Sequence, residues 1–330
     1  MSRILVFGTG SVGTMYAMLL SMGGADVTCI CRRSNYEIAA SKGFQIRSTV
    51  FGDRSFKPRV AKSVQEAVSE ESALGPFDFV VVCIKANNAG ISPTELIRMA
   101  IKESYTSIVI IQNGLGVERI YQEAFPKNPI ISGVTYMPTS QLSPCVVSHT
   151  ETQKLYLGIY SGSPNTSLLG MNVTEALAGM IRAAGADATV CADIQVERWK
   201  KLISNATWNP ICALSRCRDL QFLQAIPDLA QEFVIESMRE VVAVAAALGY
   251  SKVIKQDTID AQVRRSALRE WPGVRPSMLA DIEVGGAMEV EAIVGEVVRV
   301  AKRNSVSVPR LETLYLLLRG YEFHMRSKSP

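Results

Sequence analysis

Six residues near the start of the chain restrict its fold more than any others. Gly8-Thr9-Gly10-Ser11-Val12-Gly13 follows the apolar run Ile4–Phe7 and opens a helical pattern over Ser11–Leu20. In that setting the first glycine permits a tight turn, the second lets backbone approach a pyrophosphate, and the third lets helix pack on strand. The helix N-terminus then points its unpaired N–H groups at the anion. A second apolar run, Val27–Cys31, follows directly, so the residues predict a nucleotide-binding βαβ unit. The plainer reading of the same glycines is a tight βα turn. The regular glycines also argue against reading Met1–Met22 as a signal peptide.

The 330 residues suggest about two domains. Up to about residue 190, short apolar runs alternate with helical patterns, as in a parallel sheet flanked by helices. Ile4–Phe7, Val27–Cys31, Phe79–Ile84 and Ser107–Ile111 are the clearest strands, and the last two are continuous enough to be covered on both faces. Ile130–Tyr136 and Lys154–Ile159 read as added edge strands or a hairpin, followed by a turn at Ser161–Ser167. From Ile194 the pattern is helical: Val196–Trp208, Pro227–Leu248, Thr258–Leu268, Ser277–Ile282, Glu289–Arg303 and Pro309–Tyr321. The expected class is α/β, with a parallel-sheet nucleotide-binding domain over 1–193 and an all-α domain over 194–330.

Composition narrows the chemistry. A net charge of +4 without a dense Lys/Arg block argues against nucleic-acid binding. Only His149 and His324 are present, which leaves few candidates for a histidine-based metal site or a Ser/His/Asp triad, and no metal is expected. Seven cysteines without a CxxC pair fit a reducing, cytoplasmic compartment, and no apolar run is long enough to suggest a membrane span. Asn165, Asn172 and Asn205 open glycosylation-type tripeptides, which are read as chance matches without an export signal.

The end of the second strand selects the dinucleotide. A site preferring NAD places an acidic residue there, whereas this chain reads Cys31-Arg32-Arg33, with Asp26 before the strand. Guanidinium groups suit a 2′-phosphate, so the expected cofactor is NADPH/NADP, the alternative being an ordinary solvated arginine pair. Lys85 and Asn113 follow two other strands at their carboxyl ends, where open α/β sheets bind ligands. In the helical half, Lys201, Asn205 and Asn209 recur every four residues, forming one polar stripe with Pro210 just after it. A solvated face is the competing reading. A helix end or kink is expected at the proline.

These elements together resemble the ketopantoate reductase (2-dehydropantoate 2-reductase) family. The matching segments are Gly8–Gly13, Lys85, Gln112-Asn113-Gly114, Lys201 through Pro210, Ser277-Met-Leu-Ala-Asp281 and Glu289-Val-Glu291 followed by Gly295. The resemblance implies a Rossmann-type N-terminal domain joined to a helical domain. It implies that Lys201 is the general acid for a ketone reduced by NADPH, and that Glu289 lies near the active centre. A nearby carboxylate would position the lysine, and Glu289 is the candidate, its plainer reading being a helix-surface acid. Asn205 and Asn209 would orient the substrate and Ser277 would bind its carboxylate. Lys85 and Asn113 would lie around the cofactor and active centre, and Arg32 near the 2′-phosphate.

Three positions depart from the family pattern, Val274, Ala280 and Val294, and lost polar contacts there would alter which substrate group is recognised. The leading expectation is reduction of a small 2-oxo acid, above all 2-dehydropantoate to pantoate in pantothenate biosynthesis. The alternatives are a related reductase of another keto compound in specialised metabolism and, from a different class, a non-catalytic NADPH sensor. The expected partner is a small keto substrate, with no nucleic acid and no membrane. Apolar stretches such as Val241–Leu248 admit either core packing or a homodimer.

Overall fold

Strands covered on both faces must be apolar at every position, and the first half of the chain is built this way. The computed structural model describes residues 1–70, 74–86, 90–160 and 168–327. It divides into two units: Met1–Gln112 with Val117–Ile194, and Asn113–Gly116 with Gln195–Pro330. The chain thus leaves the first unit for four residues and returns.

The first unit contains twelve strands among the described residues: β1 Arg3–Phe7, β2 Asp26–Ile30, β3 Phe44–Ser48, β4 Arg54–Phe56, β5 Arg59–Ala61, β6 Phe79–Val82, β7 Ser107–Ile110, β8 Ile130–Tyr136, β9 Thr139–Ser143, β10 Val146–His149, β11 Lys154–Ile159 and β12 Asp187–Val190. Eight of them form one sheet in the order β12-β11-β8-β7-β6-β1-β2-β5. All neighbours are parallel except β8 and β11. Alternate residues of the central strands enter different cores. Ile4, Val6, Phe79, Val81 and Val109 pack on one side, and Leu5, Phe7, Val80, Val82, Ile108 and Ile110 on the other. Every residue of β1, β6 and β7 is buried in consequence.

Two expectations are corrected here. Ile130–Tyr136 and Lys154–Ile159 are internal strands rather than edges, because β12 pairs outside β11 and takes the edge. A second sheet, β4-β3-β10-β9, was not anticipated. Its β3 and β10 pair in parallel although about a hundred residues separate them, a register no local pattern announces. The turn expected at Ser161–Ser167, with Asn165, lies outside the described residues.

The second unit is helical from the helix Gln195 continues: Ile194–Ser215, Asp219–Ala225, Pro227–Ala247, Gln256–Ala267, Ser277–Glu283, Glu296–Arg303 and Pro309–Ser327. Pro210 does not end the first of these, which runs on to Ser215. The missing N–H costs the helix about 3 kcal/mol. Burial of Trp208, Ile211, Cys212 and Ala213 around the proline offsets it. The segment expected as one helix from Glu289 begins with a π turn over Glu291–Gly295 before the α-helix. Trp199, Leu202, Ile203 and Ala206 pack with Met238, Val241, Val244, Val294 and Val297 in a single core. The Val241–Leu248 stretch is therefore largely spent on internal packing, with Val241, Val244 and Ala245 fully buried. Among the described residues no helix is long and apolar enough to cross a membrane.

Candidate active site

The nucleotide loop belongs wholly to the first unit. Gly8 adopts φ +103°, and a Cβ there would meet Ile84 Cγ2 at 2.6 Å. Gly13 is tighter still, since a Cβ would lie 1.9 Å from the Gly8 carbonyl oxygen. Gly10 differs: nothing lies within 4 Å of the place a Cβ would occupy. It caps the helix Ser11–Met22, whose Thr14 N–H donates to the Gly10 carbonyl at 2.9 Å. The two flanking glycines are needed for the protein's own packing, while the middle one leaves open space in front of a helix N-terminus. That combination fits the pyrophosphate of a dinucleotide. The Thr9 hydroxyl donates to the Ile30 carbonyl at 3.1 Å and so fastens the loop to the end of β2. Ser11 and Val12 open the helix.

Arg32 and Arg33 follow β2 at its carboxyl end, both exposed. Asp26 stands at the opposite end of that strand, ion-paired with Arg59 and with Arg3 at 3.9 Å. It is spent on structure there. Lys85, half-buried, follows β6. Gln112 Nε2 donates to the Ile84 carbonyl at 2.9 Å and its Oε1 accepts from the Tyr121 hydroxyl at 3.3 Å, which steadies the ends of β6 and β7.

The second unit assembles a different kind of site from three separated segments. Lys201, on the helix Ile194–Ser215, donates from Nζ to Asn113 Oδ1 at 2.7 Å. Asn113 Nδ2 in turn donates to Glu289 Oε2 at 3.3 Å. The asparagine therefore bridges an ammonium and a carboxylate, accepting from one and donating to the other. Burial pushes the Lys201 ammonium down to about 8, the nearby Arg198 guanidinium pushes the same way, and Glu289 opposes both. A lysine so placed gives up a proton far more readily than one in water.

The loop carrying Asn113 is fixed by backbone. Gly114 has φ +99°, and a Cβ there would lie 2.5 Å from the Ala292 carbonyl oxygen. The neighbouring Leu115 N–H donates to that same oxygen at 2.8 Å. Ala292 belongs to the π turn, whose widened spacing lets a carbonyl bond outside its own helix. Glu291, at the start of the turn, faces away from Lys201's partners toward Tyr315 (3.0 Å) and Arg299 (2.6 Å). Burial favours its neutral form, but these bonds and Arg319 outweigh it and hold the carboxyl below its ordinary value.

Further along the stripe, Asn205 is half-buried and Asn209 is buried. Asn209 Oδ1 accepts from Ser277 Oγ at 3.3 Å and from the Met278 N–H at 3.2 Å. Asn209 thus caps the helix Ser277–Glu283, whose first residue is Ser277. The structure brings together Lys201, Asn113 and Glu289 in one group and Asn209 with Ser277 in another. The sequence reading missed Arg198, although its spacing of three residues from Lys201 puts it on the same helix face. It also missed the π turn, which has no sequence signature.

Comparison with known proteins identifies the family. Residues 4–162 match the family model for ketopantoate reductase PanE/ApbA, and residues 193–322 match that for its C-terminal region. The solved structure of 2-dehydropantoate 2-reductase from Methylococcus capsulatus is 34% identical, with 98% of this chain and 97% of that one covered and a TM-score of 0.84. The curated 2-dehydropantoate 2-reductase of a Nostoc species is 26% identical over 95% of this chain and 93% of its own length. The meiotically up-regulated gene 72 protein of Schizosaccharomyces pombe is 28% identical over 96% of this chain, which spans only 56% of that relative. The chain belongs to the ketopantoate reductase family of NAD(P)H-dependent oxidoreductases.

Proposed function

We propose that this chain reduces a 2-oxo acid to the 2-hydroxy acid with NADPH, the first substrate being 2-dehydropantoate, which becomes pantoate. The observation that carries this reading is the buried Lys201 ammonium held at 2.7 Å by Asn113, with Glu289 behind it. Gly8, Thr9, Gly10, Ser11, Val12 and Gly13 would hold the cofactor pyrophosphate, Arg32 its 2′-phosphate, and Lys85 the phosphate region beside it. When bound, the nicotinamide supplies the hydride.

Negative charge then develops on the substrate's carbonyl oxygen, and the Lys201 ammonium stabilises it and delivers the proton. Asn113 accepts from one of the three Nζ donors and so fixes where the ammonium sits. Glu289 supports the charged form before the reaction, and burial makes the neutral amine acceptable after it. Asn205, one turn beyond Lys201, would orient the substrate. Asn209 would act through Ser277, holding the start of a helix whose hydroxyl and N–H groups suit a carboxylate. All seven cysteines are free, which fits a reducing, cytoplasmic setting, and 2-dehydropantoate as substrate would place the chain in pantothenate biosynthesis.

A second reading keeps the cofactor and Lys201 but changes the ketone. It is favoured by Val274 and Ala280, half-buried apolar side chains flanking Ser277 where family members carry polar groups. Val294 adds nothing to it, being fully buried in the helical core. Loss of NADPH absorbance with 2-dehydropantoate, measured beside a panel of other 2-oxo acids and ketones, separates the two. Selective turnover of 2-dehydropantoate supports the first reading, turnover of another ketone alone supports the second, and no turnover of any ketone contradicts both.

A further inference from the structure

Arg198 is an unusual residue to find inside a helical core. It is only 3% exposed, and it lies three residues before Lys201 on the same helix, so the two cations share a face. Its Nη1 donates to the Gly114 carbonyl at 2.9 Å. Gly114 is the residue after Asn113, in a conformation that only glycine adopts easily and against the wall formed by Ala292. Burying a guanidinium costs free energy, and here that cost is met beside another cation, with the guanidinium held against the backbone of the Gly114 loop.

We propose that Arg198 is a positioning residue of the candidate site: its guanidinium clamps the Gly114 loop that presents Asn113 to Lys201, and it places a fixed positive charge one helical turn from the ammonium. The inference rests on the reading of Lys201 as the proton donor. Arginine keeps its charge throughout the working pH range, so its effect is constant, unlike that of a second lysine. Among the described residues, the charges acting on Lys201 are those of Arg198 and Glu289. Arg198 on its own helix disfavours the ammonium, Glu289 just before the π turn favours it, and the bridging Asn113 is neutral. The nearest other charges on the helix, Lys200 and Glu197, are paired with each other at 2.8 Å.

The balance between these two groups sets where the lysine titrates. Without Arg198, Lys201 would hold its proton to higher pH and surrender it less readily to an alkoxide. The residue therefore tunes the acid rather than touching the substrate.

The test compares Arg198→Gln, which keeps a donor for the Gly114 carbonyl without the charge, with Arg198→Lys, which keeps a cation. The readout is the pH dependence of Lys201 acylation by acetic anhydride, followed by peptide mass spectrometry on the full-length chain. Arg198→Gln is expected to move the midpoint upward by about one pH unit, with Arg198→Lys staying close to the wild type. The alkaline limb of ketone reduction should move with it. An unmoved midpoint in Arg198→Gln, or equal movement in both variants, overturns the inference. Should the glutamine variant not fold, the wild-type midpoint still decides: a value near that of a free lysine overturns the proposal. Lys201→Ala keeps the outcomes apart, because turnover surviving in that variant removes the proton-donor reading itself, whatever the labelling shows.

Discussion

In the proposed function the glycine loop and the lysine cluster each hold a reactive molecule, and they are built of opposite materials. The loop is one stretch of six residues that works through backbone: Gly8 and Gly13 are locked by packing, and only Gly10 faces open space. The lysine cluster is made of side chains from Asn113, Arg198, Lys201 and Glu289, brought together by folding. Shape is decisive in the first and charge in the second. Changes in the loop should therefore act on binding, and changes in the cluster on proton transfer.

That division can be broken by experiment. The largest effect is expected from Lys201→Ala, which should lower turnover by about two to four orders of magnitude while NADPH binding, followed by fluorescence titration, stays nearly intact. Parallel loss of both would mean that the cluster is not specialised for chemistry. Next comes Gly10→Ala, whose added methyl meets no protein atom. Its melting temperature should match the wild type while NADPH binding weakens by about tenfold or more, because the methyl occupies the space assigned to pyrophosphate. Unchanged affinity would show that the open space is not used.

Arg32→Ala should weaken NADPH by about tenfold, with little change for NADH, since a charge-assisted bond to phosphate is worth about 1.5–3 kcal/mol. Equal losses for both cofactors would remove Arg32 from the 2′-phosphate. The smallest effect is expected from Glu289→Gln. The carboxylate raises the proton affinity of Lys201, so its neutralisation should lower that affinity and shift the alkaline limb of reduction to lower pH by a fraction of a unit. An upward shift would contradict the charge balance drawn here.

The same contrast governs what could be read from the chain before its structure. The loop is legible because its strand, turn and helix are consecutive, and β1, β2, β6 and β7 lie within one or two residues of the runs Ile4–Phe7, Val27–Cys31, Phe79–Ile84 and Ser107–Ile111. The Lys201 stripe is legible because helical spacing is local. What was not legible depends on distant partners. Strand β3 alternates buried and exposed residues, a pattern open to reading, but its pairing with β10 is not. The Asn209 side chain also caps a helix that begins at Ser277, a partnership the stripe's spacing does not announce. Of the end or kink expected at Pro210 the end does not occur, because the buried neighbours that offset the local cost are not visible in local spacing. The π turn is joined to a tertiary bond, from the Leu115 N–H to the Ala292 carbonyl, that no spacing encodes.

The most direct test of the whole account is the pH dependence of 2-dehydropantoate reduction by the wild-type chain with saturating NADPH. A buried ammonium acting as the proton donor must be charged to work, so the rate should be sustained at neutral pH and fall through a midpoint near 8. A rate that stays level to about pH 10, where an ordinary lysine titrates, would contradict the account.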